Sequence, residues 1–152
     1  DQPIFGEICI TLQYTPMLNI LLLEDDEIEV MKFQRALSKL ESDANVIPTH
    51  NGEQALQWLQ ETDNLPDVIF LDLNMPRLNG LEFLAILKAD DRLKFIPSVV
   101  LTTSSNKKDL LACYEIGVAG YILKPLQYTD YVDRIGALLS YWENNELVKA
   151  NS

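Results

Sequence analysis

Three segments of this chain are almost unbroken runs of apolar residues that carry acids or hydroxyls at their far ends: LNILLLED from Leu18, PDVIFLDL from Pro66 and PSVVLTT from Pro97. A strand that faces water on one side alternates apolar and polar residues. One that is apolar at successive positions must be covered on both faces, as in a parallel sheet with helices above and below. Two weaker runs complete a set of five expected strands, at 18–23, 45–50, 67–72, 97–102 and 119–123. None approaches the ~18 consecutive apolar residues that a membrane span requires.

Helical spacing fills the intervals. The segment 27–40 places Ile28, Met31, Leu37 and Leu40 at helical separations, and 52–59 does so with Ala55, Leu56 and Leu59. A third helix is expected at 81–88 with Leu84 and Leu87 on one face. A fourth runs over 108–116 and ends at Gly117, a suitable C-cap, and a fifth over 127–143. The pattern is a βα unit repeated five times, which predicts a doubly wound α/β domain, and 152 residues suit one such domain. The expected division is a tail or added edge strand at 1–16, where Ile8, Ile10, Leu12 and Tyr14 alternate with polar neighbours, the domain at 17–145, and a tail at 146–152. The first sixteen residues lack the basic start and apolar core of a signal peptide.

Composition narrows the partners. Twelve basic against twenty-three acidic residues give a formal charge of -11, which repels nucleic acid phosphates and anionic membranes. Cys9 and Cys113 have no metal-like spacing and make no disulfide framework, so a reducing cytoplasm is the expected compartment.

In open α/β sheets, sites form at the carboxyl ends of the strands. Here the first strand runs into Glu24, Asp25, Asp26 and Glu27, the third ends at Asp72, the fourth at Thr102 and Thr103, and the fifth at Lys124. Carboxylates gathered this closely repel one another, and a hard divalent cation with oxygen ligands, Mg2+, is the natural remedy. A phosphoryl group could then be accepted by Asp72, with a hydroxyl from Thr102 and the Lys124 ammonium contacting its oxygens.

The stretches ILLLEDDE, VIFLDLNMPRLNG, VVLTTSS and GYILKP together resemble the receiver domains of bacterial two-component response regulators, over roughly residues 18 to 143. Asp72 is followed by Met75, Pro76 and Gly80, thirty residues separate Asp72 from Thr102, and twenty-two separate Thr102 from Lys124. The resemblance implies a CheY-like fold with strand order 2-1-3-4-5. It implies that Asp72 is the phosphoacceptor, Thr102 and Tyr121 the switch pair and Lys124 the lysine of the site. Metal would be held by Asp25, Asp72 and the Asn74 main-chain carbonyl, with Glu24 acting through water. It also implies a cis bond between Lys124 and Pro125. Glu24 and Asp25 match the acid pair, although Asp25 and Asp26 could be read as that pair instead; in the first register Asp26 is free to cap the helix.

VVLTTSSN, CYEIGVAGYILKP and SYWENN further resemble the single-domain regulators that partner bacterial phytochromes. The implied donor is a sensor histidine kinase or a phosphotransfer protein, and the output a change in partner binding or self-association. Such proteins often dimerise through the last helix, where Tyr131, Ile135, Leu138 and Trp142 lie beside Val132 and Leu139, one face docking on the sheet and another left for a partner. With Asn74 and Ser104 at the positions that tune hydrolysis, the phosphoryl group should outlast that of the fastest chemotaxis-type receivers. An aspartate-nucleophile phosphatase would want an acid where Asn74 stands, and the acidic loop after the first strand is no phosphate cradle for a flavin. A receiver that binds partners without phosphorylation is the remaining alternative. His50 is read as a structural or surface residue, Cys113 as a small buried hydrophobe, and Tyr141 with Trp142 as core closure or a dimer contact.

Overall fold

The computed structural model describes residues 17–148; Cys9 and the alternating residues before position 17 lie outside the described residues. The elements are β1 (Asn19–Leu23), α1 (Glu27–Lys39), β2 (Asn45–Thr49), α2 (Gly52–Glu61), β3 (Val68–Leu71), α3 (Gly80–Ala89), β4 (Ser98–Thr102), α4 (Lys107–Ile116), β5 (Gly120–Leu123) and α5 (Tyr128–Glu143). The strands form one parallel sheet in the order β2-β1-β3-β4-β5, as the sequence implied.

The unbroken apolar runs are explained by what covers them. Successive side chains of a strand point to opposite faces. The row Leu23, Leu71, Val100 and Tyr121, paired across four strands, therefore meets α2, α3 and α4 through Ala55, Leu59, Phe83, Leu84, Leu87 and Cys113. The next row, Leu22, Phe70 and Val99, faces α1 and α5 through Val30, Phe33, Ala36, Tyr131, Ile135 and Leu139. Burying each large aliphatic or aromatic side chain contributes about 1.5–3 kcal/mol, so both faces stabilise the sheet and neither tolerates polar substitution.

One helix is phased differently from the sequence expectation. Ile28 and Met31 point outward, 73% and 56% exposed, while Val30, Phe33, Ala36 and Leu37 are buried. Two apolar stripes compete on α1 and only one can face the sheet. Phe33 decides the phase by packing edge-on against Phe70 with ring centroids 5.7 Å apart.

The helix starts are set by polar side chains. Asp26, Asn51 and Asn106 each accept a backbone N–H in the first turn of α1, α2 and α4. Asn79 and Glu82 form a reciprocal capping box on α3. Gly117 ends α4 with φ at 112°, a left-handed conformation suited to glycine. The C-terminal carbonyls of α2 are held from outside the helix: the Arg92 guanidinium donates to the carbonyls of Leu59 and Thr62, at 2.8 and 2.5 Å. Among the described residues no helix is long and apolar enough to cross a membrane.

In α5, Tyr131, Val132, Ile135, Leu139 and Trp142 are all buried against the sheet and α1, so this is the face of the last helix that docks on the core. Leu138 is half-buried, and Tyr141 is exposed, its ring T-shaped against Trp142 at 4.9 Å. Core closure therefore accounts for Trp142, and Tyr141 is the member of that pair left at the surface. Leu147, beyond α5, packs on the same cluster.

Candidate acidic phosphoacceptor site

Backbone pairing at the carboxyl edge of the sheet brings the polar strand ends together. The Glu24 N–H donates to the Thr49 carbonyl at 3.0 Å, the Asp72 N–H to the Leu23 carbonyl at 3.0 Å, and the Lys124 N–H to the Thr102 carbonyl at 2.8 Å. Each of these residues is thereby fixed beside the end of a neighbouring strand.

Glu24, Asp25 and Asp72 converge so that one carboxylate oxygen from each lies within 4.8 Å of the others. At that separation and an effective dielectric of about 20, two like charges repel by roughly 3.5 kcal/mol. The donor set is all oxygen, which fits a hard divalent cation such as Mg2+ rather than a thiophilic metal. Glu24 is buried, Asp72 half-buried and Asp25 exposed, so the cluster opens to solvent on the Asp25 side. Asn74, Met75 and Pro76 line an open cavity together with Asp25, the exposed member of the cluster.

The acid pair that was open in sequence is distinguished by geometry. The Asp26 side chain accepts the Ile28 N–H at 2.9 Å and caps α1, and its own N–H donates to Glu24 Oε2 at 3.3 Å. Asp26 is thus committed to the helix start, whereas Glu24 and Asp25 join Asp72.

Lys124 closes the buried side. Its side chain is 7% exposed, with Nζ 2.8 Å from Glu24 Oε1 and 3.3 Å from Glu29 Oε2. Burial disfavours the ammonium, but the hydrogen bond and charge of Glu24, then the charges of Glu29 and Asp72, outweigh it and leave the Lys124 pKa raised. Burial likewise pushes the Glu24 carboxyl up, offset only in part by Lys124. Glu29 was missed in the sequence, where it reads as one more charge in a helix's acidic first turn. The available signal was its position four residues after Asp25, which a helix turns back toward the strand end.

Thr102 is fully buried, and its Oγ1 accepts the Ser104 N–H at 3.2 Å. The Tyr121 hydroxyl donates to the Ser104 carbonyl at 2.8 Å with the ring half-buried, and burial holds its pKa up. Ser104 Oγ in turn donates to Asp109 Oδ2 of α4 at 3.2 Å, another contact that the sequence reading lacked. Behind Asp72, α3 approaches so closely that a Cβ on Gly80 would lie 2.8 Å from Leu73 Cα and 2.9 Å from the Asp72 carbonyl oxygen. His50 is exposed just past the end of β2, and its main-chain N–H donates to Gln54 Oε1. Cys113 is fully buried, as expected of a small hydrophobe. No peptide bond among the described residues is cis, so the cis Lys124–Pro125 bond that the sequence implied is absent. The bond keeps the trans form that X–Pro favours by about 0.5–1 kcal/mol.

Comparison with known proteins agrees with this geometry. The model of the response regulator receiver domain family matches residues 20–136. Response regulator Rcp1 of Synechocystis sp. is 37% identical over 128 residues, covering 81% of this chain and 87% of that protein. The crystal structure of the phosphorylated cyanobacterial phytochrome response regulator RcpA superposes with a TM-score of 0.81 at 31% identity, over 87% of this chain and 99% of that one. The Mn2+-bound form of Rcp1 does so with a TM-score of 0.78 at 35% identity, over 86% and 99%.

Proposed function

The chain belongs to the response regulator receiver domain family, and on that premise we propose that it accepts a phosphoryl group on Asp72 from a sensor histidine kinase of phytochrome type or from a phosphotransfer protein. The observation that carries this reading is the convergence of Glu24, Asp25 and Asp72 with one buried ammonium, Lys124, at the carboxyl edge of the sheet.

Asp25, Asp72 and the Asn74 carbonyl would hold Mg2+, with Glu24 beside them, and the ion would neutralise charge on the phosphoryl oxygens. Asp72 supplies the nucleophilic oxygen, held by the Leu73 N–H that donates to its Oδ1 at 2.9 Å and aimed by the strand that ends beneath it. The Lys124 ammonium, already charged and desolvated, counters the charge that builds on the transferring group. The acyl phosphate brings about -1.5 to -2 of charge. The Thr102 hydroxyl turning toward it would release the Ser104 N–H, and with it the loop whose carbonyl holds Tyr121. Tyr121 then moves inward and the surface of α4, β5 and α5 changes. Ser104 is engaged with Asp109 and Asn74 is a neutral amide, so neither positions water as an acid or base would, which supports slow hydrolysis.

The readout we infer is altered partner binding or self-association at that surface, where Leu111, Tyr114, Leu123 and Tyr141 are exposed. Self-association through α5 would use its outer side at Tyr141, and the formal charge of -11 disfavours a nucleic acid partner. The test is incubation with acetyl phosphate and Mg2+ followed by intact mass measurement. The parent should gain one phosphoryl group and Asp72→Asn none. Absence of any gain in the parent would leave a binding module that works without phosphorylation.

A further inference from the structure

Lys124 has two acidic partners in this fold, and only one of them belongs to the phosphoacceptor cluster. Glu29 comes from the first turn of α1, and its Oε2 lies 3.3 Å from Lys124 Nζ. That oxygen is buried and, among the described residues, has no hydrogen-bond partner. A desolvated carboxylate oxygen without a hydrogen bond is costly, so the contact with Lys124 is what sustains Glu29 in this position. The same contact ties the ammonium to α1. Leu22, Phe33 and Tyr131 line the same small cavity as Glu29 and Lys124; the Lys124 side chain is 7% exposed and that of Glu29 26%.

We propose that Glu29 is a positioning residue that competes with the phosphoryl group for Lys124: it holds the ammonium in the unphosphorylated state and must yield it, in part or whole, when Asp72 is modified. This inference rests on the Asp72 reading and adds to it a brake on occupancy of the site. The ammonium that must meet the phosphoryl oxygens is already shared, so part of the attraction for the incoming group is spent on breaking an existing pair. Glu24 differs from Glu29 in that its carboxylate also belongs to the acid cluster with Asp25 and Asp72.

The experiment is calorimetric titration with beryllofluoride, a phosphoryl mimic, at saturating Mg2+, and separately with Mg2+ alone, for the full chain and for Glu29→Gln and Glu29→Asp. Glu29→Gln should bind beryllofluoride roughly three- to fivefold more tightly than the parent, the scale of a single charge contact, while its affinity for Mg2+ alone is unchanged or lower. Glu29→Asp, which keeps the charge on a shorter arm, should fall between the two. A general loosening of the fold would weaken both ligands together, so the opposed directions separate positioning from packing. Equal or weaker beryllofluoride binding in a Glu29→Gln variant that unfolds thermally like the parent would overturn the proposal. If that variant does not fold, the carboxyl carbon-13 resonance of Glu29 in the parent decides: a shift on beryllofluoride saturation supports release of Lys124, and a stationary signal overturns it. A parent that binds Mg2+ but no beryllofluoride removes the Asp72 reading itself, and this inference with it. A parent that binds and variants that match it remove this inference alone.

Discussion

The Lys124 ammonium shows how one side chain ties the site together. It is paired with Glu24 where both are almost fully buried, and breaking a buried pair by removing one partner leaves the other charge desolvated and alone. Lys124→Met should therefore lower the free energy of unfolding in urea by about 3 kcal/mol at neutral pH; a loss below about 1 kcal/mol, the scale of an exposed pair, would show that the pair is solvated in solution. Asp72, Thr102 and Lys124 were legible in the sequence because strand ends are where an α/β sheet presents polar atoms, and each stands at the end of an apolar run. Glu29 was not, since its meaning depends on a lysine far along the chain that only the folded sheet brings to α1. Asp109 is of another kind: its link to Ser104 spans only five residues, from the loop after β4 into the first turn of α4, and lay within reach of a local reading.

At the scale of the element, five strands and five helices were readable from periodicity, and the observed boundaries differ from the expected ones by no more than two residues. The phase of α1 was not readable. Ile28 and Met31 make as good a stripe as Val30 and Phe33 by spacing, and the choice rests on the ring contact with Phe70, which no local pattern contains. The junction between β3 and α3 is the element on which the site depends most. Gly80→Ala would force a methyl against Leu73 and the Asp72 carbonyl, both backbone neighbours that cannot rotate aside. Overpacking of this kind typically costs about 1–3 kcal/mol. The expected result is a loss of that size in urea unfolding together with weaker Mg2+ binding, because the first turn of α3 pushes on the main chain of Asp72. Asn79→Ala, which removes only the cap, should cost about 1 kcal/mol and leave Mg2+ affinity unchanged. Equal Mg2+ affinity in both variants would mean that the close approach does not position Asp72.

For the whole molecule, covering the sheet on both faces has an electrostatic consequence as well as a packing one. Cys113 lies buried between α4 and the sheet, and burial, with Asp109 nearby, raises its thiol from 9.0 to about 11. Burial also raises Tyr131 on the opposite face. In each case the folded state keeps its proton to a higher pH than the unfolded chain, so the contribution to stability is complete below the unfolded pKa and is lost as pH rises through the folded one. The unfolding temperature should therefore fall as pH rises from 9 toward 11, and Cys113→Ala should flatten that part of the profile. An unchanged slope in the variant would place the alkaline loss elsewhere. Where the chemistry happens in this assembled sheet can be read by locating the modified residue. After reaction with acetyl phosphate and Mg2+, borohydride reduces an aspartyl phosphate to homoserine, which peptide sequencing by mass spectrometry locates. Homoserine is expected at position 72 and nowhere else. Homoserine at position 25 or 26, or at no position in a protein that has gained the phosphoryl mass, would contradict it.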